Sequence, residues 1–86
     1  MSEVSRFFGI IIRMFANDHW PPHFHAVYGE FDASIEIETL NIYRGRLPHR
    51  ALALVLEWAS MHRIELRKNW EMSQQGQNPE RIEPLL

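Results

Sequence analysis

Between Phe7 and Phe15 apolar side chains fall on both alternating sets of positions. Phe8, Ile10, Ile12 and Met14 make one set; Phe7, Gly9, Ile11, Arg13 and Phe15 make the other. That pattern predicts a β-strand with two usable faces. Asn17-Asp18 and Pro21-Pro22 mark 16–22 as a loop. Alternation resumes over His23–Tyr28 and again from Phe31 to about Glu38, with only Gly29-Glu30 between them. A glycine at the first turn position suits a type II′ hairpin. The turn then fixes a register: Tyr28 opposite Phe31, Ala26 opposite Ala33 and Phe24 opposite Ile35 on one face. On the other face His25 opposes Ser34 and His23 opposes Glu36. Apolar pairs sort to one side and polar pairs to the other, and a slip of one residue would destroy the sorting.

Leu40–Arg44 reads as a short fourth strand, broken by Gly45-Arg46-Leu47. Pro48 suits the first turn of a helix. From there to about Met72 the spacing is helical. Leu52, Val55, Leu56, Ala59, His62, Leu66 and Trp70 form one stripe, widened by Ala51, Trp58 and Met61. His62 is expected as a hydrogen-bonded core residue, Trp58 and Trp70 as core, and His49 as solvent-facing. Gln74–Pro79 is expected to be mobile, and Ile82 with Leu85-Leu86 to dock as a tail. The expected architecture is α+β: a three- to four-stranded antiparallel meander packed on one long C-terminal helix. It forms one domain over 1–86, with the sheet at about 5–45, the helix at about 48–72 and the tail at 73–86.

A chain of 86 residues, 45% hydrophobic and 12% aromatic, can bury a single modest core. It lacks cysteine, which removes disulfides, thiolate metal sites and thiol nucleophiles and fits a cytoplasmic setting. The longest apolar run, Phe7–Ile12, is far short of a membrane span, and no signal pattern opens the chain. A net charge of −2 gives no global pull on nucleic acid, so RNA would have to be met by a local patch.

Chemistry concentrates in Asn17-Asp18-His19-Trp20-Pro21-Pro22-His23-Phe24-His25, which holds three of the five histidines. Histidine serves as acid, base or metal ligand near neutral pH, and the two prolines restrict the backbone around it. The register places His23 and His25 on the uncovered sheet face with Arg13, Asp32, Ser34, Glu36, Glu38 and Tyr43. Three readings fit this face. One is acid–base catalysis, most simply metal-independent RNA cleavage. His23, His25 and His19 would then transfer protons, with Glu36 beside His23, Arg13 or Arg6 on the phosphate, Asp18 in the binding loop and Tyr43 as a donor. No cofactor is expected on that reading. The second is a metal site on His23, His25 and Glu36, with Asp18 or His19 as further donors, because residues i and i+2 on a strand lie roughly 7 Å apart on one face. The third is an interaction surface centred on Phe7, Ile11 and Phe15, for a partner protein or a second copy of the chain. Arg63, Arg67 and Lys68 form a small basic patch for which the helix dipole is a sufficient reason.

Ser5-Arg6-Phe7-Phe8-Gly9-Ile10, the Asn17–Ala26 run, Leu47-Pro48, Glu57-Trp58-Ala59, His62, Asn69-Trp70 and the Ile82-Glu83-Pro84-Leu85 ending together resemble the small prokaryotic family catalogued as domain of unknown function 4160. Such proteins are often encoded beside a second small protein, and some pairs look like toxin–antitoxin modules. The resemblance implies the toxin member, held by a cognate small antitoxin-like protein. It brings no catalytic residues with it, so the assignments above stand on the residues themselves.

Overall fold

The structure is a computed structural model and describes residues 2–86; Met1, included in the expected domain, lies outside them. Five strands precede two helices: β1 (Ser2–Phe7), β2 (Ile10–Met14), β3 (His23–Tyr28), β4 (Phe31–Glu36), β5 (Ile42–Arg46), α1 (His49–Met61) and α2 (Arg63–Gln74). The strands form one antiparallel sheet in the order β1-β2-β3-β4-β5. The α+β class is as expected, with one more strand and a divided helix.

The β3–β4 hairpin has the register read from the sequence, from His23↔Glu36 to Tyr28↔Phe31. Gly29 takes φ +59°, which a first-position glycine supplies without strain. The segment expected as one strand over Phe7–Phe15 instead begins with a turn. Phe8 and Gly9 both adopt positive φ and reverse the chain between β1 and β2. Parity flips at that turn. Phe7, expected outside, packs in the core against Trp58, and Phe8, expected inside, is exposed.

The core lies between the sheet and the helices. Ile10, Ile12, Met14, Phe24, Ala26, Ala33, Ile35 and Ile37 meet Ala51, Val55, Trp58, Ala59 and Leu66. Tyr28, also expected inside, is partly exposed at the sheet end. A straight helix over the predicted 25 positions would run about 37 Å, longer than the 33 Å of the molecule's longest axis. The helix therefore breaks at His62 (φ −127°, ψ 26°), and both halves stay on the core. His62 is hydrogen-bonded as expected and lies at the margin of the core, partly buried with its ring 5.6 Å from that of Trp58. Its Nδ1 meets Glu65 Oε1 at 2.8 Å at the bend.

Strand β5 begins at Ile42, not Leu40, because Leu40 sits in a turn at φ +60°. Gly45 is required by close approach: a Cβ there would strike the carbonyl oxygen of Asp32. The tail docks with defined bonds. Ile82 N donates to Val4 O (2.7 Å), Trp58 Nε1 to Glu83 O (2.8 Å), and Asn69 exchanges two bonds with the backbone of Glu80. No helix among the described residues is long and apolar enough to cross a membrane.

Candidate functional site: an aspartate-centred histidine cluster

The loop between β2 and β3 is tied to the end of α2. Asn17 N donates to Ser73 O (3.0 Å), and Gln74 Nε2 donates to Asp18 O (2.9 Å). Asn17 has positive φ, and the Trp20–Pro21 bond is cis. This anchoring delivers the Asp18 carboxylate to the first residues of β3. Its Oδ2 lies 2.9 Å from His23 Nε2 and 3.0 Å from His25 Nε2. Its Oδ1 accepts from the His19 backbone N–H at 2.9 Å and lies 3.0 Å from His19 Nδ1. One carboxylate thus joins all three histidines of the motif.

The side chains differ in access. His23 is fully buried, ringed by Trp70, Tyr43, His25 and His19 at centroid distances of 5.2, 5.3, 5.0 and 5.2 Å. His25 retains 20% exposure and His19 55%. Phe15 packs edge-on against His25 at 4.6 Å. The far nitrogens are also held: His23 Nδ1 donates to Pro21 O at 2.6 Å, and His25 Nδ1 lies 3.4 Å from Ser34 Oγ.

Partial burial alone would raise the Asp18 carboxyl. Hydrogen bonds from His25 and the His19 backbone, with the charges of His23 and His25, outweigh it and hold the group at about 2. Asp18 is therefore an anion, and an acceptor only, at neutral pH. A carbonyl oxygen also only accepts, so His23 Nδ1 carries a hydrogen. In a neutral ring Nε2 would then aim its lone pair at a carboxylate 2.9 Å away. The arrangement calls for a cation between them, either a second proton or a metal ion. Asp18, His23 and His25 offer three ligand atoms within 4.8 Å of one another.

Of the residues singled out in the sequence, the structure brings together His19, His23, His25, Asp18 and Tyr43, whose OH lies 3.3 Å from His19 Nε2. Arg13 stands directly across from His25 in the register. Glu36 opposes His23 along the strands, but its carboxylate bonds to nothing among the described residues; Asp18 fills the position expected of it. Arg6 is bound to Glu3 at 2.8 Å, near the other end of the β1–β2 ladder from Arg13. The apolar centre expected on this face shrinks, since Phe7 is in the core and Ile11 and Phe15 are half-buried. Sequence reasoning missed Trp70 as the floor under His23, because its helical spacing reads only as core.

A groove of about 370 Å³ opens nearby, lined by Trp20, Pro22, Arg67 and Trp70. The cluster does not line it. Asp18, His23 and His25 sit where the loop after β2 meets the start of β3, the central strand of the sheet.

Fold and cluster define a class: an α+β protein in which a meander backed by two helices presents an aspartate shared by histidines. The chain belongs to the family described as Domain of unknown function (DUF4160), which matches residues 9–71. The match takes in β2 to β5, α1, most of α2 and the whole cluster, and leaves β1 and the tail outside. No curated protein and no solved structure matches the chain significantly.

Proposed function

We propose that Asp18, His23 and His25 form a divalent-metal centre of the two-histidine, one-carboxylate kind and that the protein is a metal-dependent hydrolase. One observation carries the reading: three potential ligand atoms, a carboxylate oxygen and two imidazole nitrogens, converge, and Pro21 O fixes the His23 tautomer that leaves Nε2 as an acceptor. Ligand atoms about 2.1 Å from one ion lie about 3.0–3.5 Å from each other in the usual geometries; the separations of 2.9 and 3.0 Å, which are also those of hydrogen bonds, lie close to that range. Backbone and hydroxyl partners on the distal nitrogens are the usual means of orienting ligand histidines. A bound ion would polarise the substrate and acidify a coordinated water. His19 and Tyr43, at the open side, would hold or pass the proton.

Metal analysis of untagged protein tests this. The reading expects about one zinc or manganese ion per chain after dialysis, released in Asp18→Asn. Protein that retains no ion and binds none on titration contradicts it.

The metal-independent ribonuclease is the second reading. It is favoured by the partial exposure of His19 and His25, both oriented by Asp18, which suits an acid–base pair. In it His23 supports the pair and does not touch substrate, because its side chain is sealed. Activity unchanged by strong chelators would select it. The family resemblance supports a cytoplasmic toxin role with a small antitoxin-like partner. Induced expression should then arrest growth, and Asp18→Asn should relieve the arrest. A non-enzymatic or homodimerising module is less favoured, because the apolar centre it needs is reduced.

A further inference from the structure

One row of side chains crosses the sheet face away from the helices on all five strands: Glu3, Arg13, His25, the buried Ser34 and Arg44 in direct register. Directly opposed residues of antiparallel strands project from the same face, and neighbouring strands are spaced about 4.8 Å apart. Arg13 and Arg44 therefore flank His25, one strand away on one side and two on the other, roughly 14 Å from each other. Arg44 is exposed and makes no hydrogen bond or ion pair among the described residues. The other arginines of β1 and β5 are engaged: Arg6 with Glu3, and Arg46 over the Phe31 ring at 5.2 Å. The row's one carboxylate, Glu3, is held by Arg6 and Arg81 at 2.8 and 3.2 Å. Gly45 permits the close approach of β5 to β4 that sets Arg44 in line with Ser34.

Resting on the metal-centre reading above, we infer that the substrate is a single-stranded phosphodiester chain laid across the sheet along this row, with Arg44 holding a phosphate beside the one at the centre. Arginine matches a phosphate with paired donors. An exposed cation in line with the metal centre suits a chain of repeated anions better than a lone small anion. The 370 Å³ groove does not include the cluster, so it does not enclose the substrate there. The reaction is a hydrolysis. The oxygen of water bonds to phosphorus, the bond from phosphorus to the leaving ester oxygen breaks, and that oxygen takes up a proton. Glu36, unpaired in the adjacent row opposite His23, opposes the anion and sets a limit on affinity.

Fluorescence anisotropy with labelled RNA and DNA oligonucleotides of about 12 residues, on zinc-loaded protein under non-cleaving conditions, tests the inference. Arg44→Gln should weaken binding roughly tenfold and lower the salt slope by about one. Glu36→Gln should tighten it, and Arg50→Gln, an exposed arginine on α1, should leave it unchanged. Tighter RNA than DNA would assign the chain as RNA; equal binding would assign a phosphodiester read without its sugar. Protein that binds zinc yet neither oligonucleotide overturns this inference and leaves the metal centre standing. So does equal weakening by Arg44→Gln and Arg50→Gln, or full competition by inorganic phosphate at oligonucleotide concentrations. Protein that takes up no zinc overturns both.

Discussion

His23 Nδ1 donates to the carbonyl oxygen of Pro21 at 2.6 Å, while its other nitrogen meets the carboxylate of Asp18, five residues earlier in the chain, at 2.9 Å. This contact decides the chemistry of the cluster. It fixes one ring nitrogen as a donor and leaves the other to share the Asp18 oxygen with His25. The proline pair was legible as a rigid element; that its carbonyl sets a tautomer was not.

The two histidines of β3 should separate in stability measurements. His23 is sealed against Trp70 and Tyr43, whereas His25 is partly open. His23→Ala should cost about 2–3 kcal/mol in urea unfolding of metal-free protein, from lost packing and stranded polar partners. His25→Ala should cost about 1 kcal/mol. Equal losses would mean that the sealed position of His23 contributes nothing.

Gly45→Ala should destabilise by about 2–4 kcal/mol, since it adds a Cβ against the Asp32 carbonyl at a positive φ. Gly76 also has positive φ but open space around it, so Gly76→Ala should cost about 1 kcal/mol. Chemical denaturation of the two variants side by side checks the difference.

The tail is pinned through Trp58 and Glu3. Trp58→Phe keeps most of the ring packing and removes the bond to Glu83 O. It should cost about 1 kcal/mol and speed amide exchange at Ile82, whose N–H binds Val4 O. Exchange at Ile82 unaltered by the substitution would contradict this pinning.

Acid should loosen the same clamp. The hydrogen bond from Arg6 lowers the Glu3 carboxyl, and the one from Arg81 adds to it, outweighing desolvation and bringing it from 4.5 to about 2. A depressed carboxylate stabilises the fold above its unfolded value and loses that contribution as pH falls through the folded one. Between pH 4.5 and about 2, tail exchange should therefore rise in the parent. In Glu3→Gln that part of the pH response should be absent.

Sequence pattern carried the centre of the fold further than its edges. The β3–β4 register was readable residue by residue because a two-residue turn and strict alternation allow one solution. Strand β1 was not, for two physical reasons. A bulge between Glu3 and Ser5 breaks its alternation, and its turn puts Phe8, not a usual turn residue, at positive φ. The divided helix has no proline or glycine at His62 to announce it. The bend matches the size of the sheet, which local periodicity does not encode. In the site, the strand placed His23 and His25 correctly, but the carboxylate partner comes from a loop held by Ser73 and Gln74, more than fifty positions along the chain. Glu36 was the better candidate in sequence only because register was all that could be read.

The central claim is that Asp18, His23 and His25 share one divalent ion. X-ray absorption of the untagged, zinc-loaded protein measures it most directly. The account predicts a first shell of two imidazole nitrogens with oxygens at about 2.0–2.2 Å, one imidazole lost in His25→Gln and the ion released in Asp18→Asn. A shell of oxygen alone, or one unaltered in both variants, would contradict it.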